Sequence, residues 1–251
     1  MRTKIIYEDK DLLVVYKPAG LATETKNVGE QDLESEIKNY LGSSYLGTVL
    51  RLDQPVEGLI LLCKTKQASG QFTKQLFLGG LEKKYLAMVC GEVEERQAEL
   101  VDYMYKTKGN RVEILPAKDR KVQNVKASDQ VETIMDKATK KAVLRYQVRK
   151  KIPCTLRNDS GIAVDIPIYL LDVEIDTGRL HQIRAQLSHA GLPLLGDVKY
   201  GSELSKMVSK ELGIKNVALC ADRLSFWHPT NQERKSFEIK PENPAFQLAE
   251  K

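Results

Sequence analysis

Residues 177–201 read TGRLHQIRAQLSHAGLPLLGDVKYG, a run with an unusual density of polar groups set between constrained backbone positions. It follows Leu171–Ile175, where apolar and acidic residues alternate as in a strand with one face in a core and the other towards solvent or a ligand. Thr177-Gly178 turns the chain, and the pattern predicts a short helix from His181 to Ala190 that Gly191 ends. In such a helix Arg184 and Ser188 share a side with His181, while Ile183 and Leu187 face packing, so Arg184 is expected to point into a cleft. His181 and His189 make a poor metal site, because the chain has only 3 histidines and no carboxylate or cysteine pattern completes one. Leu192–Gly201 reads as a loop in which Pro193, Gly196 and Gly201 flank Asp197, Lys199 and Tyr200.

Upstream, Arg51–Gly58 reads RLDQPVEG and places one carboxylate, Asp53, at a Pro-containing turn ahead of an apolar strand, Gly58–Cys63. An acid there is well placed for chemistry at a sheet rim, although an Asp that only caps the turn satisfies the same pattern. Tyr85–Cys90 is a second strand apolar on both faces. Between the two, Gln67–Leu78 is helical in pattern, with Phe72, Leu76 and Phe77 as its apolar stripe and Gly79-Gly80 as its stop. Leu12–Tyr16 forms a strand closed by the turn Lys17-Pro18-Ala19-Gly20. Leu33, Ile37, Tyr40 and Leu41 recur at helical spacing before Gly42. A helix marked by Leu204, Met207, Val208 and Leu212 and a late strand over Ala218–Phe226 complete the outline.

A chain of 251 residues builds a sizeable core, and with 42% hydrophobic and 29% charged residues it has the composition of a soluble protein. No apolar run approaches the roughly 18 residues a membrane span requires. The start lacks the features of a signal peptide, so a cytoplasmic protein is expected. The 4 cysteines are far apart and form no CxxC pair. The net charge is only +5, but cations gather between Lys106 and Lys151, including Lys118, Arg120, Lys121, Lys126, Lys137, Lys140, Lys141, Arg145, Arg149 and Lys150. Such a stretch attracts a polyanion or is simply a solvated face, since Asp119, Asp129 and Asp136 lie among the cations. It is also the one candidate for an insertion or separable lobe, about 106–151, in what otherwise reads as a single domain over 1–251.

Taken in order, VVYKPAGL, RLDxxxxGL, KxYLAxVxG, TGRLHQIRAQLSHAGLPLLGDVKYG and LSFWHP resemble the RluA-type RNA pseudouridine synthase family over nearly the whole chain apart from its cationic middle. The resemblance implies an α+β fold, a bent, largely antiparallel mixed sheet with flanking helices and a central RNA cleft. It implies an isomerase without cofactor or metal, acting on an unpaired or flipped uridine of rRNA or tRNA, with no nucleotide cofactor and no membrane partner. The chain begins at the catalytic region, so no S4-type RNA-binding module is expected, and a monomer is the expectation.

By the same resemblance Asp53 is the catalytic aspartate, Tyr85 the motif tyrosine and Arg184 the arginine of HQIR, while Arg51, Arg179, His181 and Gln182 are candidates for substrate binding. A carboxylate suits the reaction, which breaks the C1'–N1 bond, rotates the uracil and rejoins it through C5. Asp53 would attack C1' as a nucleophile or remove the 2' proton to give a glycal. Arg184 is the expected counter-charge of Asp53, and Tyr85 offers a ring on which uracil can stack. Two departures from the family pattern stand out: Leu50 replaces the histidine of HRLD, and Val56-Glu57 replaces the TS of TSG. A Glu57 directed inward would raise the pKa of Asp53. These departures leave open an RNA-binding paralogue with weak or no isomerase activity. A nucleoside hydrolase would need a second acid, for which Glu57 is the only nearby candidate.

Overall fold

The computed structural model describes residues 1–25, 29–116, 139–157 and 163–250. They divide into two compact units, the first made of Met1–Leu86 and Ile214–Lys251 and the second of Ala87–Gly213. Each unit is built on mainly antiparallel strands with few helices, an α+β architecture as expected.

In the first unit strands β1 (Lys4–Glu8), β2 (Leu12–Lys17), β4 (Glu57–Cys63) and β12 (Leu219–Trp227) are neighbours in that order. The short β3 (Gly47–Thr48) pairs with β4, and β13 (Arg234–Glu238) pairs with β12. Every residue of β2 and of β4 is buried, as the two-sided apolar runs require. β2 extends one residue beyond its predicted end, so Lys17 lies in the strand and is wholly buried. β4 and β12 run parallel, with Ala221 opposite Gly58. At Gly58, φ is 133° and a Cβ would stand 2.5 Å from the Ala221 nitrogen, so only glycine fits this close approach.

Helix α1 (Leu33–Leu41) starts where the Asp32 carboxylate accepts the Ser35 N–H and ends at Gly42, left-handed at φ 59°. Helix α2 (Lys66–Leu78) is capped by Thr65 and Gly79. Its expected stripe is only partly realised. Phe72 is fully buried among Leu59, Leu61 and Phe226, a burial that stabilises the unit by about 2–3 kcal/mol. Leu76 is 41% exposed and Phe77 84% exposed, because the helix end overhangs the core that Ala68 and Phe72 reach. Gln75 instead clasps the backbone of the half-exposed Trp227, accepting its N–H at 2.9 Å and donating to its carbonyl. The Arg234 guanidinium lies over the indole of Trp227.

The chain passes from the first unit to the second within β5 (Glu82–Cys90). The second unit contains β6 (Gln97–Lys106), β7 (Val112–Pro116), β8 (Lys140–Ile152) and β11 (Ile168–Ile175), in the antiparallel order β11-β8-β6-β7. β9 (Thr155–Arg157) and β10 (Ala163–Asp165) form a small ribbon. The described parts of the cationic stretch are therefore strands of this sheet, whereas Lys118, Arg120, Lys121, Lys126 and Lys137 lie outside the described residues. Helix α3 (Gln182–His189) begins one residue later than predicted, because His181 adopts a left-handed conformation at φ 50°. Gln182 through Leu187 are all buried, so α3 is a core helix with no solvent face over those residues. Helix α4 (Glu203–Glu211) is capped by Ser202, and only Val208 of its predicted apolar stripe is fully buried.

Candidate active site

Asp53 occupies the first position of a turn in which its carbonyl accepts the Val56 N–H at 3.1 Å. The turn is laced to the segment after β2. The Gly20 N–H and the Lys17 ammonium both donate to the Gln54 carbonyl, at 2.8 and 3.2 Å. The Thr23 hydroxyl donates to the Leu52 carbonyl at 2.9 Å. Lys17 also donates to the carbonyls of Pro18 and Leu21, so its three N–H bonds meet three backbone oxygens. Burial pushes the Lys17 pKa down to about 7, against the opposing pull of Asp53 and Glu57. Sequence alone assigned Lys17 to a turn. The signal for its role was a lysine directly continuing a wholly apolar run.

The two departures are accommodated by packing. Leu50 joins the Leu59–Leu61–Phe72 cluster, and Val56 is buried. Glu57 does not stand bare beside the turn. Its carboxylate accepts the Tyr16 hydroxyl at 2.7 Å and the N–H groups of Asn243 and Glu242 at 3.0 and 3.2 Å. Burial raises its pKa, with these hydrogen bonds opposing the rise. Arg51 is exposed and its guanidinium lies 3.6 Å from Glu24. Tyr85 is buried in β5, within the first unit.

The remaining sequence-predicted residues gather in the second unit, around the turn that leads into α3. Gln182 closes this turn from inside: its oxygen accepts the Thr177 hydroxyl and the Arg179 N–H, and its amide donates to the Val143 carbonyl. Those contacts fix the backbone and engage both ends of the amide in the fold. Arg179 is exposed and donates through Nε to the Lys141 carbonyl. Arg184 is buried and grips Asp197 side-on, Nε to Oδ2 at 2.7 Å and Nη2 to Oδ1 at 2.9 Å. Burial opposes ionisation of Asp197, but the Arg184 guanidinium and the N–H groups of Tyr200 and Lys199 hold its pKa below the usual carboxylate value. The Tyr200 hydroxyl meets His181 Nδ1 at 2.8 Å and accepts the Val112 N–H at 2.9 Å. Asp197 and Tyr200 read as loop residues in the sequence because their partners lie far along the chain.

One further cluster is polar enough to consider for a metal. Asp9, Asp11 and His228 bring ligand atoms within 4.8 Å of one another. Each is already engaged in the fold. His228 Nδ1 accepts the Thr230 N–H and its Nε2 meets Asp9 at 2.8 Å, while Thr230 donates its hydroxyl to Asp11. The donor set serves as a hydrogen-bonded latch.

The RNA pseudouridylate synthase family model matches residues 11–189. The dual-specificity RNA pseudouridine synthase RluA of Vibrio parahaemolyticus is 29% identical over 239 residues, 94% of this chain and 82% of that protein. The tRNA pseudouridine synthase C of Vibrio cholerae is 25% identical over 234 residues, 92% of this chain and 87% of the relative. The ribosomal large subunit pseudouridine synthase C of Rickettsia bellii is 29% identical over 92% of this chain and 67% of its own length. In fold, the chain is similar to human RNA pseudouridylate synthase domain containing 4, with a TM-score of 0.67 at 21% identity, covering 98% of this chain and 93% of that one. With the matched region running from before the Asp53 turn through α3, the chain belongs to the RNA pseudouridylate synthase family and is an RNA pseudouridine synthase of the RluA type.

Proposed function

We propose that the chain isomerises particular uridines of ribosomal or transfer RNA in the cytoplasm, with Asp53 as the group that carries the chemistry. The observation that supports this most is the tethering of the Asp53 turn by Lys17, Gly20 and Thr23, which fixes the backbone on either side of this carboxylate. The uridine leaves its stack, at a cost of a few kcal/mol that is lowest in loops and bulges. Asp53 then acts at C1' or at the 2' proton, the C1'–N1 bond breaks, and the uracil turns and rejoins through C5, whose proton is finally lost. The ring gains the N1 proton, so the sum is an isomerisation. Tyr85 is placed in this reading as the ring against which the uracil rests, and Arg51 and His181 as contacts to the displaced strand.

Arg184 is read as the cation that orients Asp53. Its grip on Asp197 uses Nε and Nη2, so the pair as a whole carries little net charge. Asp53→Asn retains shape and RNA binding, and is expected to lower turnover by at least about a thousandfold. Tritium release from RNA labelled at uridine C5, together with a binding titration, tests this. Near-normal release from the variant removes Asp53 from the chemistry. Binding without release by the wild type would favour the RNA-binding paralogue.

A further inference from the structure

We infer that Arg111, seated against Tyr200 at the turn between β6 and β7, grips a phosphate of the RNA as the leading member of a cationic rim formed with Lys140, Lys141 and Arg179. The inference rests on the RNA-modifying reading above and adds the residues by which the second unit holds its substrate.

Register places these four residues together. Lys106 pairs with Val112 at the β6–β7 turn, Met104 with Lys140 and Tyr103 with Lys141, so Arg111 and the start of β8 share one end of the sheet. Arg179 reaches the same end, because its Nε donates to the Lys141 carbonyl at 3.1 Å. The two arginines further along β8 are otherwise engaged. Arg145 pairs with Glu99 and Asp176, and Arg149 pairs with Asp172, so their fields are largely cancelled locally. Among the described residues no carboxylate forms an ion pair with Arg111, Lys140, Lys141 or Arg179. Lys140 and Lys141 thus join Arg111 and Arg179 in one cationic patch at the end of the sheet nearest the turn into α3.

Arg111 is the best organised of the four. It is exposed, with its guanidinium carbon 5.4 Å from the centre of the Tyr200 ring. Its backbone is pinned on both sides, by the Val112 N–H on the Tyr200 hydroxyl and by Lys199 donating to the Asn110 carbonyl at 2.6 Å. The Arg111 carbonyl also accepts the Thr107 N–H at 2.9 Å. An arginine on a fixed backbone beside an aromatic ring loses less freedom on binding than a lysine at a strand end, and its planar fork matches a phosphate. The same ring lies 5.2 Å from the Arg184 guanidinium, so a phosphate at Arg111 is held beside the residue read as orienting Asp53.

The test is binding of unmodified bulk tRNA and of an rRNA transcript across a salt series, for wild type, Arg111→Met, Arg111→Lys and the control Arg149→Gln. Arg111→Met is expected to weaken binding about tenfold and to reduce the slope of log affinity against log salt by about 0.7–0.9, one phosphate contact. Arg111→Lys should keep the slope and lose part of the affinity, and Arg149→Gln should change neither. In the Arg111 variants the loss of kcat/KM should appear mainly as a rise in KM, and Arg149→Gln should keep both constants. Wild-type slope and affinity in Arg111→Met overturn the inference, including when that variant melts at a lower temperature, which would make Arg111 a structural residue. If the wild type itself neither binds RNA nor releases tritium, the functional reading fails and this one with it.

Discussion

Asp197 is a carboxylate that cannot take up a proton without releasing Arg184. Its pKa is held below the ordinary value, mainly by that guanidinium working against burial, so the sign of its effect follows from linkage. Well above the ordinary carboxylate range Asp197 is ionised in both folded and unfolded chains, and its stabilising contribution is complete. As the pH falls through that range, the unfolded chain takes up the proton first and the contribution is lost. Asp197→Asn is therefore expected to cost about 3 kcal/mol at neutral pH, with the gap to wild type closing below about pH 4. Urea unfolding of both proteins at several pH values checks this, and a gap independent of pH would assign the cost to packing. Among the single residues, Asp53 and Arg184 stood out in the sequence because they sit in motifs dense with turn residues. Asp197 and Lys17 did not. Their roles depend on partners that folding brings near, such as Arg184 from α3 and the Gln54 carbonyl from the next turn.

At the level of elements, the end of the chain is fastened to β4 by one side chain. Glu57 holds the Tyr16 hydroxyl and the N–H groups of Glu242 and Asn243, while Asn243 donates to the carbonyls of Asn216 and Val217 and caps the last helical turn at Ala245. Glu57→Ala strands three donors, two of them buried, and is expected to destabilise by about 2–3 kcal/mol, whereas Glu57→Gln keeps an acceptor and costs about 1 kcal/mol. Amide exchange at residues 242–245 should accelerate in the alanine variant first. Unchanged exchange there would show that the segment is held by other contacts. Strands and helix caps were legible because their signals are local: Gly42 and Gly79 end their helices as the pattern indicates. The burial of helix faces was not. Periodicity marked Leu76 and Phe77 as core, yet where a helix overruns the sheet beneath it the same spacing points at solvent.

Over the whole molecule, the charge of the cationic stretch is unevenly effective. Residues 117–138 contain five cations, Lys118, Arg120, Lys121, Lys126 and Lys137, against four acids, Asp119, Asp129, Glu132 and Asp136, so they add little net charge. β7 and β8 flank β6, which puts the ends to be joined roughly 10 Å apart across the sheet, plus a small offset along it. Replacing 117–138 with a short Gly-Ser joint is accordingly expected to preserve folding and to change the salt slope of RNA binding by less than about 1. A larger fall, measured in the same salt series, would move the main electrostatic contact into that segment. The overall plan was legible at this scale through the order of motifs, and the boundary between the two units falls inside β5, where the sequence runs on as an apolar strand. Trp227 is the sole tryptophan of the chain, and it lies in the first unit, held by Gln75 and covered by Arg234. Intrinsic tryptophan emission is therefore a single-site optical reporter of the surroundings of β12, and circular dichroism or a label introduced near Tyr200 is required to follow the second unit directly.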